Sequence, residues 1–234
     1  MQGIPHHLID IRNPDEPYSV AEFVTDAERC IDEITVRGNL PIVVGGTGLY
    51  VRALIRGFTI PHVPPNAELR AAFEGQPLED LVRELRRCDP ETAERIDTHN
   101  RRRLVRAIEV CRAIGPRATP VRTSVASQRH VLMLGIDVPR VELYRRVDER
   151  TAQWLRAGLI DEVRRLIARY GSGIAPLGGV VYREVVAALA MCPTIGAPET
   201  ADAIQVLERR INGSLHAYVR RQMTWFRKEP DIRW

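Results

Sequence analysis

The sequence contains almost no lysine. Of its 34 basic residues only Lys228 is a lysine, and every other one is an arginine. A phosphate-binding P-loop needs Gly-x-x-x-x-Gly-Lys-Ser/Thr. Lys228 does not stand in that context, so these residues bring no Walker lysine to a nucleotide or a diphosphate. Codon usage accounts for the bulk of the arginine bias. Cysteine is scarce as well: Cys30, Cys88, Cys111 and Cys192 lie far apart and form no C-x-x-C. Free thiols in a reducing cytosol fit that spacing better than disulfides or zinc. No apolar run approaches the ~18 residues that a membrane span needs; the best, Val185 to Cys192, is short. Met1 to His6 shows neither a basic start nor a long apolar stretch, so no secretory signal is expected. The expectation is a cytoplasmic protein without a membrane partner. Ser-His-Asp elbows, zinc spacings and H-E-x-x-H are all missing. His6-His7 beside Asp10 read as structural hydrogen-bonding groups, and no metal ligands are assigned.

What is present is globular in composition, with 44% hydrophobic and 27% charged residues. The net charge of +4 allows a nucleic-acid partner without requiring one. Ala21 to Val36 carries apolar residues at helical spacing. Leu40 to Val44 is a short β-branched run that reads as a buried strand. Gly45-Gly46-Thr47-Gly48 follows, and a helix begins near Leu49 and ends at Gly57. Pro61 to Pro65 reads as an extended linker. Helical patterns then cover Ala67–Phe73, Leu78–Arg87, a turn opened by Asp89-Pro90, and Arg103–Ala113. Arg117 to Gln128 reads as a loop and His130 to Val138 as a second core strand. Helices follow from Pro139 to Leu155, Leu159 to Tyr170 and Tyr182 to Met191. After Pro198 comes a long final helix with Ile204, Leu207, Ile211, Leu215, Tyr218 and Phe226 on its apolar face. The expected fold is α/β: a core made of residues 1–60 and 128–234, and a helical insertion over 61–127. Two strands are few for a parallel sheet, so further pairing partners are expected.

Three segments carry chemistry. Gly45-Gly46-Thr47-Gly48 lies where a strand enters a helix. Backbone N–H groups there attract anions, glycine permits close approach, and Thr47 adds a hydroxyl. The plainer alternative is a tight turn capped by threonine. Arg102 and Arg106, four residues apart, share one helical face with Arg103 nearby; such a face grips a phosphodiester backbone, or else is simply solvated. Arg220 to Lys228 mixes cations with Trp225 and Phe226. It reads as an amphipathic helix end packed on the core, with a nucleic-acid surface as the alternative.

Taken together, the chain resembles the tRNA dimethylallyltransferases, also called tRNA isopentenyltransferases. The residues that carry the resemblance are Ile4 to Asp10 with Pro14, Tyr18 and Phe23; Val43 to Tyr50; Asp89-Pro90 with Ala93; Arg102 to Val110; Leu159 to Arg164; and Arg221 to Arg227. The resemblance implies a P-loop-NTPase-like α/β core with a helical insertion. It implies transfer of a dimethylallyl group from dimethylallyl diphosphate to N6 of the adenine 3′ of the anticodon, with Mg²⁺ assisting. Thr47 matches the family threonine near the reacting groups. Arg70 matches an insertion contact to tRNA. Arg102, Arg103, Leu104, Val105 and Arg106 match a tRNA-binding segment, and Gly178, Gly179, Val180, Val181, Tyr182, Arg183, Glu184 and Val185 match another. Gly45, Gly46 and Arg164 are the candidate diphosphate contacts. The expected partners are a tRNA anticodon stem-loop and dimethylallyl diphosphate, and the expected state is a monomer.

The sequence also departs from that family. The family has a P-loop and an Asp-Ser-x-Gln segment whose aspartate serves as general base, and neither is found in these residues; residue 1 aligns after both. Val181 replaces a glycine, and His216 stands where an arginine is usual. The resulting expectation is a member of the family whose 234 residues do not transfer prenyl groups by themselves. The alternatives are a tRNA-binding remnant without catalysis, a prenyltransferase for free adenylates, and a chain whose start is misplaced.

Overall fold

The computed structural model describes residues 3–57, 63–116, 129–197 and 200–234. The expected loop at 117–128, Pro61 and His62 of the expected linker, and Pro198 lie outside the described residues. Helix dominates. In chain order the elements are α1 (Val20–Val36), α2 (Gly48–Arg56), α3 (Ala67–Phe73), α4 (Leu78–Cys88), α5 (Pro90–Arg95), α6 (Arg101–Ile114), β1 (Met133–Leu134), α7 (Arg140–Arg156), α8 (Leu159–Tyr170), α9 (Val180–Met191), α10 (Ala201–Phe226) and β2 (Ile232–Arg233).

Local chemistry explains where the helices start and stop. Ser19 and Glu22 form a reciprocal capping box on α1, with Glu22 N–H donating to the Ser19 hydroxyl at 3.2 Å and Ser19 N–H donating to the Glu22 carboxylate at 2.8 Å. Asn66 caps α3 and Asn100 caps α6 through their side-chain oxygens. Asp89 caps α5, accepting from Thr92 N at 3.0 Å and from the Thr92 hydroxyl at 2.7 Å, and Pro90 follows at the first helical position. Gly158, at φ +96°, separates α7 from α8, a conformation that L side chains adopt only at a cost.

The chain divides into two compact units. The first holds Met1–Tyr18, Val43–Gly48 and Val131–Trp234; the second holds Ser19–Ile42 and Leu49–His130. In the first unit α7 to α10 enclose a core of Val147, Leu159, Ile160, Val163, Val185, Leu207, Ile211 and Leu215 with their neighbours. Leu207, Ile211 and Leu215 fall four residues apart on one face of α10, so a single stripe of that helix supplies much of this core. In the second unit α3 to α6 close over Phe73, Leu81, Leu85, Ala93, Leu104, Val105 and Ile108.

The sheet differs from the sequence expectation. Leu40 to Val44 is not a buried strand: it runs without secondary structure, and Leu40, Ile42 and Val44 are largely exposed. An apolar β-branched run forms a strand only when another strand satisfies its backbone, and no described segment pairs with it. Of the strand expected over His130 to Val138, only Met133–Leu134 forms, because its partner is only two residues long. That partner is β2, with Met133 opposite Ile232 and Leu134 opposite Arg233 in a parallel ladder. No described helix is long and apolar enough to cross a membrane.

Candidate functional site

The glycine turn lies directly before α2. Thr47 is exposed at its tip, just ahead of the helix start. The turn is clamped from one side by the end of α10. Gln222 Nε2 donates to the carbonyl oxygen of Gly46 at 2.9 Å. A Cβ on Gly46 would stand 2.2 Å from that same Nε2. A Cβ on Gly48 would stand 2.2–2.4 Å from ring carbons of Trp225. Gly48 is therefore required by the close approach of the rigid indole, whereas a side chain at Gly46 would have to displace only the flexible end of Gln222. Gln222 and Trp225, three residues apart, share the helical face that makes the contact. Trp225 meets Phe226 edge to face, with centroids 4.9 Å apart. The C-terminal aromatic–cationic segment thus includes a packed helix end. The sequence reading assigned no site residue there, because a contact across 176 residues leaves no local signal.

The segment Gly178 to Val185 opens α9. Gly179 is its N-cap and provides no side-chain cap to this twelve-residue helix. Val180, Val181 and Tyr182 line an open groove of about 520 Å³ together with Trp154, Glu162 and Gly179. The Tyr182 hydroxyl donates to Glu162 Oε1 at 2.5 Å; burial and then this carboxylate push the phenol up to about 12. Glu184 is buried and gathers Ser214 Oγ at 2.9 Å, Arg210 at 3.1 Å and Arg183 at 3.4 Å. Burial pushes its carboxyl up, but these partners outweigh burial and hold it below the usual range. Val185 is fully buried in the core. Its side chain therefore has no open face to offer a ligand.

In the second unit the arginine helix sorts into distinct roles. Arg102 and Arg103 are exposed. Arg102 has no side-chain partner among the described residues, and Arg103 stands 4.0 Å from Asp97. Leu104 and Val105 are core residues, at 0% and 9% exposure. Their side chains form the stripe that anchors α6 and do not face a ligand. Arg101, unremarked in the sequence, donates to the carbonyl oxygens of Phe73 and Gln76 behind α3. Arg70 and Arg106 converge on one carboxylate, Glu109. Arg70 donates to it in bidentate fashion, Nε to Oε1 at 2.6 Å and Nη2 to Oε2 at 3.0 Å. Arg106 Nη1 adds a bond at 3.2 Å while its Nη2 donates to Val63 O at 2.9 Å. Asn66 N–H supplies another at 3.0 Å. The Glu109 side chain is wholly buried. Burial raises its carboxyl, yet Arg70, Asn66 and Arg106 together bring it below the ordinary range.

Arg164 has structural work. It pairs with Asp161 at 2.5 Å and donates to the carbonyl oxygens of Ile195 at 2.7 Å and Pro193 at 3.2 Å, fastening α8 to that turn. His216 stacks on Tyr144 with centroids 3.9 Å apart, and its Nε2 lies 2.8 Å from Asp148. His6 Nδ1 lies 2.7 Å from the Ile4 carbonyl oxygen.

Comparison with known proteins accounts for this set of segments. The family model described as IPP transferase matches residues 1–229. The chain belongs to this family, the tRNA dimethylallyltransferases. It is 44% identical to the tRNA dimethylallyltransferase of Thermomicrobium roseum over 100% of this chain and 70% of that protein. It is 42% identical to tRNA dimethylallyltransferase 1 of Citrifermentans bemidjiense over 99% of this chain and 74% of that one. Among solved structures, the tRNA isopentenylpyrophosphate transferase of Bacillus halodurans is 34% identical and superposes with a TM-score of 0.62, covering 100% of this chain and 72% of that chain. A eukaryotic dimethylallyltransferase acting on tRNA shares the fold at 22% identity and a TM-score of 0.67, over 96% of this chain and 56% of that one.

Proposed function

We propose that the protein takes part in prenylation of tRNA, with dimethylallyl diphosphate as donor and N6 of the adenine 3′ of the anticodon as acceptor. The observation that carries this reading is the 44% identity to a tRNA dimethylallyltransferase over the full length of the chain. We infer a core of the P-loop-NTPase type, and a tRNA-binding insertion over residues 61–127. The substrate is a monomer's to handle, in the cytoplasm.

The reaction forms a bond between adenine N6 and the allylic carbon and breaks the bond from that carbon to the diphosphate oxygen. The electron pair leaves with diphosphate, and the N6 proton passes to a base. The adenine must first be unstacked. Thr47 is suited to this chemistry: its hydroxyl is exposed beside a helix start, where N–H groups favour an anion. It hydrogen-bonds either the acceptor amine or a diphosphate oxygen, with Gly45 and Gly46 as the adjoining backbone. Arg164 adds a cation at 43% exposure. Arg70, Arg102, Arg103 and Arg106, with the start of α9 from Gly178 to Arg183, hold the tRNA backbone. Among the described residues no three His, Cys, Asp or Glu side chains come together to cage a metal ion. A Mg²⁺ would offset the negative charge that builds on the departing diphosphate, and no step here is assigned to it.

These 234 residues include neither a Walker lysine nor an Asp-Ser-x-Gln segment. The purified polypeptide is therefore expected to bind tRNA without transferring a prenyl group. The test is incubation with radiolabelled dimethylallyl diphosphate and unmodified tRNA. Label in tRNA would contradict the expected inactivity, and label in AMP instead would redirect the acceptor to free adenylates.

A further inference from the structure

The buried carboxylate of Glu109 is the most heavily bonded acidic side chain in the second unit. It lies under α3 and α6 and collects bonds from Arg70, Arg106 and the Asn66 backbone. Its partners are not buried with it. The Arg70 side chain is 48% exposed and that of Arg106 is 37% exposed, against 0% for Glu109. Each guanidinium has five N–H donors. Arg70 uses two on Glu109, and Arg106 uses one on Glu109 and one on Val63. Each thus turns an anchored edge inward and keeps three donors for a ligand. A long, flexible side chain loses rotamer entropy when it binds a phosphate; one already pinned in place loses less.

We propose that Glu109 is a positioning residue for RNA: it fixes Arg70 and Arg106 so that their outward N–H donors meet backbone phosphates of the tRNA. This rests on the tRNA reading above. The ligand chemistry follows from the donors, since planar guanidinium forks recognise phosphate oxygens in pairs. Glu109 itself touches no RNA and acts only through the two arginines.

The sign of the effect separates positioning from bulk charge. Glu109→Gln removes a negative charge, so simple electrostatics predicts tighter tRNA binding and a steeper salt dependence. Positioning predicts the reverse, with affinity about tenfold lower and the slope of log K against log salt shallower by about 1. The measurement is a filter-binding titration of unmodified tRNA at several salt concentrations, with circular dichroism confirming that each variant is folded. Glu109→Asp keeps the charge and withdraws the carboxylate by one methylene; it is expected to weaken binding too, and it carries the test should Glu109→Gln unfold. Ile108→Val, a core change beside Glu109, is expected to lower stability yet leave affinity unchanged. Both Arg70 and Arg106 changed to Ala should abolish any further effect of Glu109→Gln on affinity. Unchanged or tighter binding by folded Glu109→Gln or Glu109→Asp overturns the proposal while the tRNA reading stands. Failure of the unaltered protein to bind tRNA overturns both.

Discussion

Glu109 is a carboxylate whose side chain is wholly buried. Glu109 falls four residues after buried Val105, on the flank of the α6 core stripe, where a charge is costly unless it is paired. The structure supplies the pairing through Arg70, Arg106 and Asn66. Removing it leaves half-exposed arginines that water can solvate, so the loss is that of the charged hydrogen bonds. Glu109→Ala is expected to cost about 2 kcal/mol, measured by urea unfolding. Acid should erode the same contribution. The folded-state value of Glu109 lies below its ordinary 4.5, so the folded protein favours the carboxylate. Its stabilisation is complete above the ordinary value and is lost as pH falls toward the lowered one. Arg70 and Arg106 stay charged throughout. Unfolding free energy followed from pH 6 downward should fall less steeply in Glu109→Gln than in the unaltered protein; parallel curves would remove Glu109 from the account.

Elements with a strong local signal were legible in the sequence. The helical spacing of Ala67–Phe73 and Leu159–Tyr170 gave α3 and α8 with their observed ends. Asp89-Pro90 announced the helix that Asp89 caps. The strands were legible only in part, β1 falling inside the expected His130–Val138, for a physical reason. Helix bonds close within one segment, whereas a strand is defined by another segment, and Leu40 to Val44 carries strand chemistry with no described partner. Ile232–Arg233 is too short for any periodicity to reveal it. The glycine turn was legible as a site but not as a contact: nothing local indicates that Trp225 lies against Gly48. That contact predicts that Gly48→Ala, harmless to a helix start by propensity, will cost about 1–3 kcal/mol by overpacking. In a double-mutant cycle with Trp225→Ala, the penalty of the added methyl should largely vanish. Additive penalties would mean that the indole does not fill that space.

The chain as a unit of function combines two features that its net charge of +4 conceals. Its cations are unevenly employed. Arg101 is spent on carbonyl oxygens within the fold, whereas Arg102 and Arg103 extend from α6 into solvent. Its apolar surface is uneven too: Leu132, Leu134 and Ile136 are exposed around β1, whose described pairing is two residues long, an edge prone to association. The central claim is that this chain of the tRNA dimethylallyltransferase family holds tRNA through the open face of α6. The most direct measurement is the salt dependence of tRNA binding for the unaltered protein and for Arg102→Ala with Arg103→Ala. Neither side chain is part of the core, so both proteins should unfold at the same urea concentration. The account predicts weaker binding by the double variant, with a salt slope shallower by about 1.4 for two lost phosphate contacts. Equal affinity and equal slope for the two proteins would contradict it.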